Sequence, residues 1–70
     1  MDRQRVSSSN ISSIGYDINS NILEIEFHDG GIYQYHGVGE SVYNSLMSAV
    51  SHGSYFSNFI KDRYNYRKIR

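Results

Sequence analysis

Cysteine and proline are both absent from this 70-residue chain. Without cysteine there is no disulfide to staple a small fold and no thiolate to hold a metal. Without proline, no helix start is preset by a fixed φ. No apolar run approaches the roughly 20 residues of a membrane span. The start, Met1-Asp2-Arg3-Gln4-Arg5 followed by serines, lacks the apolar core of a secretory signal. A soluble, cytoplasmic protein is therefore expected, and the sequon Asn10-Ile11-Ser12 is a chance match. Net charge is missing too, with seven basic residues against seven acidic. It is unevenly spread. Residues 1–40 hold six acids against two arginines, a net −4, and residues 41–70 hold five cations against Asp62, a net +4.

A chain of this length forms one domain and buries only about 60% of its unfolded surface. Aromatic bulk is what it has in place of a staple: seven tyrosines and three phenylalanines. Residues 1–10 are polar and aperiodic and read as a flexible lead-in. From Ile11, a half-buried strand places Ile14, Tyr16 and Ile18 on one face, alternating with Gly15 and Asp17. Asn19-Ser20-Asn21 marks a turn, since asparagine tolerates the left-handed region. The next strand, Ile22 to Phe27, sends Leu23, Ile25 and Phe27 one way and Glu24 and Glu26 the other, toward solvent or a partner.

Asp29-Gly30-Gly31 then reverses the chain. A two-residue loop would set Tyr33 and Tyr35 beside the glutamates. A three-residue loop, His28-Asp29-Gly30 with Gly30 left-handed, pairs Phe27 with Gly31 and groups both tyrosines with Leu23, Ile25 and Phe27. The second register segregates the faces and is the one expected. Beyond Gly37-Val38-Gly39, helical spacing links Val42, Tyr43, Leu46, Met47 and Val50. Gly53 is read as the left-handed stop of this helix and Ser54 as the cap of the next. That second helix carries Phe56, Phe59, Ile60 and Tyr64. The expected fold is α+β: a three-stranded antiparallel β-meander followed by two helices packed on one face (β-β-β-α-α). Residues 11–66 form the single domain and residues 67–70 a basic tail.

These residues resemble, in order, the motifs of the KTSC domain, a module named for its place at the C-terminus of some lysyl-tRNA synthetases. They are Ser8-Ser9-x-Ile11-x-Ser13-Ile14-Gly15-Tyr16-Asp17, Leu23-x-Ile25-x-Phe27, Tyr33-x-Tyr35, Val42-Tyr43-x-x-Leu46 and Gly53-x-Tyr55-Phe56. The likeness spans about residues 8–64. Val38-Gly39 stands where relatives commonly have Val-Pro, which should loosen the start of the first helix without redirecting it. The resemblance implies a bacterial or phage origin. It suggests RNA binding by association with tRNA enzymes, and it makes Gly15, Tyr16, Asp17, Phe27, Gly30, Tyr33, Tyr35, Tyr43, Gly53, Tyr55 and Phe56 a structural motif.

Chemistry is sparse. His28, His36 and His52 are scattered, with no i, i+4 pair and no cysteine, so no metal or cofactor is expected. No nucleophile motif or phosphate loop is present, and an enzyme is not expected. The basic end interleaves cations with aromatics, a composition that suits a phosphate backbone with stacked bases. Lys61, Arg63, Tyr64, Tyr66, Arg67, Lys68 and Arg70 are the candidate nucleic-acid-binding residues, as against a solvated helix end. Tyr33 and Tyr35 are either core residues or base-stacking platforms. Two functions remain open: a non-catalytic RNA-binding domain, tRNA being the suggested target, or a protein-interaction module that docks on a larger enzyme through its exposed sheet face or edge strand. A monomer is expected in either case.

Overall fold

The central hairpin closes as expected. In the computed structural model, which describes residues 1–70, Gly30 has φ +94. The Phe27 N–H donates to the Gly31 carbonyl at 2.9 Å, and the Gly30 N–H returns to Phe27 at 2.9 Å. The Asp29 carboxylate locks the loop by accepting the Gly31 N–H at 2.9 Å. This three-residue reversal joins β3 (Ile22–Phe27) to β4 (Ile32–His36), with Ile25 opposite Tyr33 and Leu23 opposite Tyr35. The tyrosines therefore share the apolar face. A second turn joins β2 (Ile11–Asp17) to β3 through Asn21 at φ 55. The Asp17 carboxylate accepts from Ser20 Oγ at 2.9 Å and the Asn19 N–H at 3.0 Å, which lowers its pKa from the ordinary value, the Ser20 bond most of all.

The sheet has five strands, where three were expected. β1 (Arg3–Arg5) lies against β2, and β5 (Tyr66–Lys68) lies against β4, giving the antiparallel order β1-β2-β3-β4-β5. The expected lead-in and tail thus both contribute edges. The physical reason is pairing. Without β5, the outer edge of β4 would offer bare N–H and C=O groups beside the aromatic face. Instead, the Ile32 N–H donates to the Arg70 carbonyl at 3.0 Å and the His36 N–H to Asn65 at 2.8 Å. Neither outer strand alternates apolar with polar residues, so neither has the usual strand signature.

The two helices, α1 (Glu40–Ser48) and α2 (His52–Phe59), lie between β4 and β5 in the chain. Ile11, Ile14, Leu23, Ile25 and Tyr35 of the sheet form one buried cluster with Val38, Leu46, Phe56 and Ile60. Ile11 and Ile14 are three residues apart yet share this core. A bulge between Ile11 and Ser13 absorbs the odd residue.

Both helix boundaries differ from expectation. α1 stops at Ser48, and Val50, expected in its stripe, is fully exposed. The His52 Nδ1 lies 2.8 Å from the Leu46 carbonyl. A carbonyl only accepts, so Nδ1 is the protonated nitrogen. α2 begins one turn early, capped by Ser51 Oγ, which accepts the Ser54 N–H at 3.2 Å. Gly53 lies inside the helix. It is buried and packs beside the Asn10 side chain, whose amide end would have to shift to admit a Cβ. Phe59 is half exposed, its ring tilted against Tyr55 with centres 4.7 Å apart. Ile18 leaves the expected stripe for the turn and is also exposed.

Tyr16 joins three elements. Its ring stacks on Tyr43 of α1 at 4.7 Å, and its hydroxyl donates to the Val38 carbonyl at 2.6 Å. Burial first, then the charges of Glu40 and Asp17, raise its pKa.

Candidate functional site

The sheet's two faces hold very different chemistry. On the helix side, strand alternation brings Tyr33 and Tyr35 of β4 beside Tyr66 and Lys68 of β5, in the pairs Tyr33–Lys68 and Tyr35–Tyr66. The helices cover the middle of this face and stop short of β5. An open cleft of about 290 Å³ remains at its edge. Five rings wall it: Phe27, Tyr33, Tyr35, Phe56 and Tyr66. Their contacts are continuous. Tyr35 meets Phe56 edge-on at 5.3 Å, Tyr66 lies 5.5 Å from Tyr35 and 5.7 Å from Tyr33, and Phe27 meets Tyr33 at 5.6 Å. Tyr35 is buried, Tyr33 half-buried, and Tyr66 is 57% exposed. One wall is therefore fixed by packing while Tyr66 offers an accessible ring.

Charged groups rim the aromatics. Lys61 and Asp62, from the turn after α2, and Asp29, from the hairpin loop, line the cleft. The Lys68 Nζ sits 5.8 Å from the centre of the Tyr33 ring. Burial, followed by the neighbouring Tyr33, Tyr66 and Asp62, pushes the Tyr35 hydroxyl up to about 12.

The opposite face was expected to present Glu24 and Glu26 to solvent or a partner. Glu24 is instead 4% exposed. Arg3 of β1 pairs with it, and Gln34 Nε2 donates to it at 2.8 Å. Glu26 accepts from Ser13 Oγ at 2.9 Å and pairs with Arg70 at 3.2 Å and Arg3 at 3.8 Å. Burial alone would raise the Glu24 carboxyl, but the bonds from Gln34 and Arg3 and the Arg3 charge together outweigh it and hold its pKa down. The chain's two ends thus neutralise the acids of its middle.

The candidate nucleic-acid residues are split by this arrangement. Lys61, Tyr66 and Lys68 gather at the cleft. Arg67 lies opposite Gln34, on the other face, and Arg70 is engaged by Glu26. Tyr64 packs against the core, and Arg63 is exposed in the turn between α2 and β5. Tyr33 and Tyr35 turn out to be both core and cleft, a combination the two separate readings did not include. Sequence reasoning missed Asp29, Asp62 and Phe56 as cleft residues. The turn that follows α2, anchored by the buried Ile60, brings Lys61 and Asp62 to the tyrosines, and the pairing of β5 with β4 adds Tyr66. No three histidine, aspartate or glutamate side chains converge where a metal could be held. No helix is long and apolar enough to cross a membrane.

Residues 7–64 match the KTSC domain. The chain is 39% identical to an uncharacterized protein of Stutzerimonas stutzeri, covering 99% of each. It is 34% identical over 59 residues to a lysine–tRNA ligase of Nostoc punctiforme, covering 84% of this chain and 10% of that protein. The crystal structure of a KTSC domain protein from Yersinia pestis superposes with a TM-score of 0.96 at 51% identity, covering 99% of this chain and 97% of that one.

Proposed function

This chain belongs to the KTSC domain family, and from that premise and the tyrosine cleft we propose that it is a small, non-catalytic RNA-binding domain acting as a cytoplasmic monomer. The observation that carries the reading is the cleft itself, where Tyr66 offers an accessible ring beside Tyr33 and Lys61 and Lys68 flank them. Aromatic rings accept any base face, and ammonium groups beside them meet the phosphates that join bases. The occurrence of the same module inside proteins named lysine–tRNA ligase supports an RNA, and tRNA in particular, as the target. The whole ligase's activity does not carry over, since this chain spans a tenth of its length. Docking on a larger enzyme through the other sheet face has less behind it, because the acids there are already paired within the chain.

An amide chemical-shift titration with bulk tRNA at low and moderate salt tests the reading. Shifts should cluster at Tyr33, Tyr35, Lys61, Tyr66 and Lys68. With two or three phosphates neutralised, the slope of log affinity against log salt should be about −1.5 to −2. Tyr66→Ala should weaken binding by roughly 1–3 kcal/mol. Silence at low salt, or shifts confined to the Arg3–Glu24 face, would refute it.

A further inference from the structure

The cleft's acids pose a problem for RNA binding, since carboxylates repel phosphates. They are also its most selective feature. Asp29 is partly committed, one oxygen accepting the Gly31 N–H at 2.9 Å. Asp62 forms none of the chain's ion pairs, although Lys61 lines the same cleft. An uncommitted carboxylate beside an exposed aromatic ring is a hydrogen-bond acceptor waiting for a donor. Two classes of ligand would supply one: a cation, or a neutral ring with N–H groups on its edge. The cation is disfavoured, because Lys68 already occupies the region over Tyr33 and Lys61 stands at the rim. These two cations already balance the charges of Asp29 and Asp62. At about 290 Å³ the cleft is at the small end of ligand pockets, which run from roughly 300 to 1,000 Å³. It has room for one planar base.

We propose that the cleft reads a single unstacked guanine, stacked against the exposed Tyr66 ring, with the Asp62 carboxylate accepting the guanine's N1–H and 2-amino hydrogens. This inference rests on the RNA reading above and adds a base preference to it. Guanine alone among the four bases puts two donors side by side on its Watson–Crick edge, matching the two oxygens of a carboxylate. Adenine and cytosine each present one amino donor beside a ring-nitrogen lone pair, which the carboxylate repels. Uracil presents one N–H between two carbonyls, the poorest match. Lys61 and Lys68 then meet the flanking phosphates.

Affinity for short oligouridylates carrying one central guanosine, adenosine, cytidine or uridine, read by fluorescence anisotropy at low salt, tests the proposal. The guanosine oligomer should bind about tenfold tighter than the all-uridine one, the range expected of one bidentate contact. Inosine, lacking only the 2-amino group, should fall between them. Asp62→Asn should bring the guanosine-to-uridine ratio close to one, while affinity for the all-uridine oligomer holds or rises as a negative charge is lost. An unchanged amide spectrum outside the turn checks that this variant is folded. Equal binding of all four oligomers would overturn the guanine preference and leave RNA binding standing. No binding of any would overturn both. Cleft shifts with tetramethylammonium but none with guanosine monophosphate would overturn the proposal in favour of a cationic ligand.

Discussion

Replacing Arg3 by alanine should unpin the first strand and strand a buried charge. The Glu24 side chain is 6% exposed and that of Arg3 26%. Removing one partner of a buried pair typically costs about 3–5 kcal/mol, because the other charge is left without compensation. Two features reduce the figure here. Gln34 still donates to Glu24, and β1 is only three residues long, so it can lift and admit water. The expected loss is therefore about 2 kcal/mol. A 70-residue domain has roughly 4–10 kcal/mol in all. That loss should lower the melting temperature by about 8–16 °C.

Thermal and urea unfolding of the single variants Arg3→Ala and Glu24→Gln and of the double variant supply the test. The double variant should recover a large part of the loss, since no buried charge remains to be compensated. The acid limb gives a second readout. The Glu24 pKa lies below its unfolded value, so its contribution is present above about pH 4.3 and is lost as pH falls through the lower folded pKa. Glu24→Gln should flatten that part of the pH–stability curve. Arg3→Ala within about 0.5 kcal/mol of the parent, or strict additivity in the double variant, would refute the reasoning.

Gly39, the N-cap of α1, has φ −72, and no atom lies within 4 Å of the point a Cβ would occupy there. Gly39→Pro should therefore raise stability by about 0.4–1 kcal/mol through the unfolded chain, and a drop in melting temperature would show that the backbone there does not suit proline. Gly15→Ala should act oppositely, because an added Cβ would lie 2.6 Å from the Asp2 carbonyl oxygen. A loss of about 1–3 kcal/mol is expected, with amide-exchange protection lost first in β1. Tyr35 should ionise near pH 12 in an alkaline titration followed by phenolate absorbance. Its folded pKa is raised, so its contribution is complete below about pH 10 and is lost as pH rises toward 12. Tyr35→Phe should remove that limb.

The three central strands were legible because each segregates apolar from polar residues with period two. The hairpin register followed from the same alternation, since one slip would have put Tyr33 and Tyr35 among the glutamates. Helix existence was legible from spacing; helix ends were not. Ser54 reads as the cap of α2, but Ser51 takes that place one turn earlier, with His52 seated on the Leu46 carbonyl. Part of the cleft is legible as well. Lys61, Tyr66 and Lys68 stand out by composition, while Tyr33 and Tyr35 read equally as core or as ligand platforms.

Local pattern alone determines that this chain makes a two-faced antiparallel hairpin unit under two amphipathic helices, because those periods are properties of neighbouring residues. The outer strands are different. Arg3-Gln4-Arg5 and Tyr66-Arg67-Lys68 carry no apolar alternation, and they become strands because β2 and β4 offer unpaired edges and because Glu24 and Glu26 attract Arg3 and Arg70. That pairing belongs to the folded sheet. It carries Tyr66 and Lys68 to the tyrosines of β4 and turns Arg67 and Arg70 away. The character of the site is thus decided by contacts between residues 30 or more positions apart, which no window of sequence contains.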